Sequence, residues 1–110
     1  MRKAVGQLMV FSNAVAGYEK QFNDWYDHIH ISEVKRVAPE IISAKRFNLT
    51  IISIPSEQRD WQYLTIYEVP NEYLNDVLER INAAIVNGEM NISDAAEQLS
   101  SLVIFADEMY

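Results

Sequence analysis

Apolar positions fall into two rhythms along this chain. Val5 to Asn13 alternates, with Leu8 and Val10 on one side and Met9 and Phe11 on the other, which predicts a first strand followed by a loop through Gly17. Tyr18, Phe22, Trp25, Tyr26 and Ile29 then recur every three or four residues, the buried stripe of an amphipathic helix. Ser32 is placed to cap a second short helical segment, Glu33 to Ala38, which Pro39 stops. Residues 41–54, IISAKRFNLTIISI, read as one long or bulged strand, with Pro55 to Asp60 as the turn. Residues 61–69, WQYLTIYEV, form a third strand. Asn71 caps a helix whose face is Leu74, Val77, Leu78, Ile81 and Ile85, with Asp76 and Arg80 paired opposite, and Asn87-Gly88 ends it. A loop holding one helical turn leads to the last strand, residues 101–106.

Strand, helix, strand, strand, helix, strand is the order of a ferredoxin-like α+β sandwich, an antiparallel four-stranded sheet with two helices on one face. A single domain spanning residues 1–110 is expected. Both sides of each strand are apolar: Leu64 and Ile66 oppose Tyr63 and Tyr67, and Leu102 and Ile104 oppose Val103 and Phe105. The face without helices would be an apolar patch too large for a monomer, so a second copy is expected to cover it about a two-fold axis.

Residues 44–51 split by side. If Lys45, Phe47, Leu49 and Ile51 pack on the helices, Arg46 points with Tyr63, Thr65 and Tyr67 into the space between the sheet and its cover, an apolar space with a few polar groups.

Composition narrows the chemistry. Sixteen acidic against nine basic residues give a net charge of −7, and the basic residues are scattered, which argues against nucleic acid and anionic membrane as partners. With no cysteine, disulfides, thiolate metal sites and cysteine nucleophiles are excluded, and a cytoplasmic location fits. MRKAVGQLMVFSN begins like a signal peptide, but its apolar run is short and alternating and reads as a strand.

The two histidines, 28 and 30, lie in WYDHIH. On an α-helix they are about 160° apart and cannot share a metal ion. His28, beside Asp24 and Asp27, belongs on the solvent side. His30 lies four residues from Tyr26 and three from Asp27, with Asn23 on the same flank, so a phenol or carboxylate can orient the imidazole as a general base. The bland alternative is a half-buried histidine bonded at a helix end. Arg46 suits a carboxylate or phenolate clamp, or a structural pair with an acid such as Glu68. Residues 87–98 are long for a connection and suit a lid.

VFSN at 10–13, EKQFNDWYDHIHISEV at 19–34, APEIISAKRF at 38–47, YLTIYEV at 63–69 and NGEMNISDA at 87–95 together resemble the EthD-like group of the dimeric α+β barrel superfamily. The combination W-Y-D-x-x-H, a following proline and A-x-R-F carries most of that resemblance. It departs where similar sequences read H-x-P-E and P-G: here the residues are His30-Ile31-Ser32-Glu33 and Pro39-Glu40. The resemblance implies a homodimer closing into a barrel, an internal cleft, and no metal, flavin or nicotinamide. It points to Trp25, Tyr26, Asp27, His30 and Arg46.

The expectation is a cofactor-independent enzyme acting on a small aromatic, polyketide-like or lactone metabolite by isomerisation, cyclisation or dehydration. His30, Tyr26, Asp27 and Arg46 would be catalytic, and Trp25, Phe11, Asn13, Asn23, Tyr63 and Tyr67 would contact the ligand. A protein that binds a small apolar molecule without turnover, or assists an oxygenase, is the alternative.

Overall fold

A computed structural model describes residues 4–53, 60–97 and 101–109. Four strands, β1 (Val5–Ser12), β2 (Ser43–Asn48), β3 (Tyr63–Pro70) and β4 (Leu102–Asp107), form one sheet in the order β2-β3-β1-β4. Every neighbouring pair is antiparallel, which is the ferredoxin-like arrangement. Between β1 and β2 the chain makes α1 (Glu19–Trp25), a π-helical turn (Tyr26–His30) and α2 (Ile31–Val37), all without a break. A 3₁₀ turn (Asn71–Tyr73) leads into α3 (Leu74–Val86). Among the described residues no helix is long and apolar enough to cross a membrane.

Register fixes which side chains meet the helices. Leu8 lies opposite Tyr67 and Phe105, Val10 opposite Thr65 and Val103, and Arg46 opposite Thr65. Leu8, Tyr67 and Val69 pack with Val34 and Ala38 of the first helical segment and Val77 and Ala84 of α3, so this face carries the core. The expected assignment of sides is therefore inverted. Arg46, Tyr63, Thr65 and Tyr67 face the helices, whereas Lys45, Phe47, Met9, Phe11, Ile66 and Ile104 share the face that no helix covers. On the inner side Tyr63 and Tyr67 fill the gap under the helices and are 9 % and 2 % exposed, against 43 % for Phe47 on the other side.

Other elements end differently from their sequence pattern. β2 stops at Asn48; Leu49 still donates to the Gln62 carbonyl at 2.9 Å, but Ile51 and Ile52 are exposed. Ile51 and Ile52 continue a β-like composition, and among the described residues no strand pairs with them. Ile54 and most of the expected turn, residues 55–59, lie outside the described residues. Ser32 caps nothing, because the backbone of His30 is already helical and the helix runs through. The Asn71 side chain does not cap α3 either; its backbone N–H donates to the Ala4 carbonyl at 3.0 Å. Arg80 reaches the Asp76 carbonyl oxygen and pairs with Glu40 at 2.6 Å. Gly88 ends α3 at φ 78°, where a side chain would be strained.

The stretch after α3 is tied down. Ala95 accepts from the Val15 N–H at 2.7 Å, Glu97 donates to the Asn13 carbonyl at 2.9 Å, and Met90 is buried in the core. Its described part, residues 87–97, is held at Asn13 and Val15 by backbone hydrogen bonds and in the core by Met90.

Candidate functional site

WYDHIH is where the first helix changes pitch. The Ile31 N–H donates to the Tyr26 carbonyl, five residues back, which makes one wide turn. On a regular α-helix residues five apart are about 140° apart around the axis and cannot touch. Through the wide turn the rings of Trp25 and His30 stack, centroids 4.5 Å apart at 26°, and Tyr26 presents its edge to His30 at 4.8 Å. Asp27 is carried away from His30, correcting the expected Asp27–His30 pair.

The same turn explains the buried stripe. Phe22, Tyr26, Val34 and Ala38 are all buried, with His30 half-buried between them, so every fourth residue faces inward. A spacing of four drifts by about 40° per step on an α-helix, about 160° over four steps, and the extra residue in the wide turn takes back about 100° of it. Ile29, expected in the stripe, is consequently 50 % exposed, and Tyr18 is 54 % exposed beyond the first turn.

A cavity of 330 Å³ lies between the helices and the sheet. Trp25, Tyr26, His30, Tyr67, Ser12 and Asn13 form its aromatic and polar wall. Leu78, Ile81 and Ile85 of α3 with Val103 of β4 form an aliphatic wall, Leu8 and Val10 lie on the sheet between them, and Ile92, Ala96 and Glu97 close one end. Among the described residues, two polar atoms of this wall are buried without a hydrogen-bond partner, Ser12 Oγ and His30 Nδ1, while the Tyr67 and Thr65 hydroxyls adjoin that of Tyr26.

Burial dominates the titration of these groups. His30 is pushed down to about 4, first by burial and then by the Arg46 charge, so the ring is neutral near pH 7. Burial and the neighbouring Tyr26 push the Tyr67 phenol up. Tyr26 is pushed up by burial, partly offset by Thr65, Tyr67 and Arg46. Both phenols keep their protons.

Arg46 opens into a different place. Its Nη1 donates to Asp27 Oδ1 and its Nη2 to Asn23 Oδ1, both at 2.9 Å, and Asn23 donates in turn to the Tyr63 hydroxyl at 3.2 Å. The guanidinium lies 4.3 Å from the centre of the Tyr26 ring, which also meets His30. Tyr26 thus separates the His30 cavity from a second, hydrophilic pocket of 420 Å³ lined by Asn23, Asp27, Arg46 and Tyr63. The structure does not bring Arg46 and His30 to one surface.

The remaining expected residues divide similarly. Asn13 lines the cavity, but its amide is occupied, donating to the Asp60 carbonyl at 3.0 Å and accepting from the Gln62 N–H at 2.7 Å. Phe11 packs near Trp61, ring centres 6.4 Å apart, on the sheet face away from the cavity, so its expected ligand contact is corrected. His28 lines an outer groove with Tyr18, Trp25 and Ile29. Among the described residues no three His, Asp or Glu side chains gather as a metal-holding group. Sequence reasoning missed Ser12, Leu78, Ile81, Ile85 and Val103 as cavity residues. Their alternation and helical spacing marked them as inward-facing, and only the assembled layers show that the space they face is not filled.

These features define a ferredoxin-like α+β protein with a small cavity between helices and sheet. The fold is EthD-like: it is similar to the crystal structure of an EthD family protein from Bacillus halodurans C-125, with a TM-score of 0.56 over 96 % of this chain and 99 % of that one. The two sequences are 12 % identical, so the likeness is one of fold. No protein-family model matches the chain, and no curated protein does.

Proposed function

We propose that the protein holds a small, largely apolar molecule in the 330 Å³ cavity and moves a proton on it, with His30 as the acid/base. The carrying observation is the pair of unpartnered buried groups, His30 Nδ1 and Ser12 Oγ, on the wall of a largely apolar space. Each unpaired buried polar group costs about 1–3 kcal/mol, which a ligand bearing an oxygen would recover. A neutral imidazole accepts a proton from carbon or oxygen, and protonated Tyr67 and Tyr26 can donate to the oxygen on which charge develops. Isomerisation, cyclisation or dehydration by proton abstraction fits this set. Trp25 is a wall of the site, and Arg46 stands outside it behind Tyr26, acting on His30 through its charge.

Hydrogen–deuterium exchange tests the reading without a known product. Phenols, ketones and lactones that raise the melting temperature are incubated with the protein in deuterated buffer and followed by NMR. Exchange at a carbon next to the carbonyl is expected with the wild type, slowed about 10²–10⁴-fold by His30→Gln while binding persists. Binders that never exchange defeat the catalytic reading. A second reading, binding without turnover, is favoured by one observation: a histidine held at about 4 is a weak base.

A homodimer belongs to the same proposal. Phe47, Leu102 and Ile104 are each more than 40 % exposed, and with Met9, Phe11 and Ile66 they make a continuous apolar face. A second copy covers it most simply by presenting the same face. A stable monomer in sedimentation at micromolar concentration would exclude it.

A further inference from the structure

We infer that the cavity takes an uncharged amphipathic molecule, with its hydroxyl or carbonyl head against His30 and Tyr67 and an alkyl tail leaving between α3 and β4. This rests on the cavity being the binding site, as proposed above, and adds the ligand's charge and direction.

Charge is decided by what lines the space. Among the described lining residues there is no lysine or arginine, and the one formal charge, Glu97, is negative. Arg46, the cation nearest in the fold, faces the other pocket with Nη1 and Nη2 engaged by Asp27 and Asn23. The whole chain carries −7. A carboxylate in this cavity would be buried with no lysine or arginine on its wall and beside a neutral imidazole, a cost of several kcal/mol by ordinary desolvation, whereas a hydroxyl or carbonyl meets groups that lack partners.

Direction is decided by exposure. Leu78, Ile85 and Val103 line the cavity and yet are 38 %, 40 % and 51 % exposed, so they stand at its mouth. His30 stands deeper, stacked on Trp25 with Tyr26 beside it, and the buried Tyr67 adjoins Tyr26. At 330 Å³ the space is at the small end of ligand pockets, which run from about 300 to 1,000 Å³, so a head group and a few carbons fill it and any longer chain runs into the aliphatic mouth.

Calorimetry on the intact protein with two homologous series tests this: 4-alkylphenols from ethyl to pentyl, and the 4-alkylbenzoates of the same lengths. Phenol binding is expected to tighten by about fourfold per added methylene, with the benzoates at least tenfold weaker at each length. Leu78→Asn and Ile85→Asn, at positions exposed enough to accept a polar side chain, should flatten the slope. Phenols that bind with no dependence on length, or benzoates that bind as well, overturn the inference and leave the cavity reading standing. If no member of either series binds, the cavity reading falls, and this inference with it.

Discussion

Replacing Arg46 by methionine separates two roles that its place on β2 leaves open, ligand clamp and internal brace. The side chain is 14 % exposed and makes two hydrogen bonds of 2.9 Å while lying over the Tyr26 ring. Its bond to Asn23 is charge-assisted and contributes about 1.5–3 kcal/mol. The pair with Asp27, whose side chain is 52 % exposed, is screened by solvent and contributes about 0–1 kcal/mol. The contact with Tyr26 adds about 0.5–2 kcal/mol. Methionine refills part of the volume, so Arg46→Met is expected to destabilise by about 2–4 kcal/mol in urea unfolding. Its effect on the affinity of 4-propylphenol should stay within about threefold, because the guanidinium lies on the far side of Tyr26. The His30 titration midpoint should rise when the cation goes, yet stay below the ordinary 6.5, since burial is the larger cause of its depression. Unchanged stability with a tenfold loss of affinity would refute the reasoning and return Arg46 to the ligand.

Three further outcomes follow from the same structure. His30 is held at about 4 in the fold and titrates near 6.5 when unfolded, so the unfolded chain binds more protons between these values; stability should fall as pH drops through that window, by about 3 kcal/mol in all, and urea midpoints of His30→Gln should lack this component. A Cβ on Gly6 would collide with the Phe105 ring, so Gly6→Ala should cost about 1–3 kcal/mol, and the cost should shrink in a Phe105→Leu background, read from a double-mutant cycle. Ile104→Lys, on the uncovered sheet face, should shift sedimentation from dimer to monomer; no shift would mean that this face is not the interface.

How far the sequence carries can be judged element by element. The order of strands and helices and the apolar character of both sheet faces are written in local periodicity, because each depends only on which neighbours along the chain are apolar. Which face lies under the helices is not local: Tyr63 and Tyr67 beat Phe47 and Lys45 for the inner side only when helix and sheet meet. Tyr26 and His30 were legible as neighbours from their spacing of four, and Arg46 as a notable cation from its place amid β2. That Tyr26 stands between the two, and that Asp27 serves Arg46 instead of His30, depends on a change of helical pitch that no single residue in WYDHIH announces. Its trace is the exposed Ile29, which a uniform helix would have buried and which only the assembled structure shows.

The wide turn also means that this helix carries one residue more than its packing requires. Deleting Ile29 would put the same five inward side chains at intervals of four, three, four and four, the ordinary rhythm of a straight helix. The shortened chain should therefore keep its core and melt no lower than the parent, while Trp25 and the histidine, now four apart, lose the parallel stacking seen at 4.5 Å. The surplus residue is a spacer that the fold can do without and the cavity wall cannot.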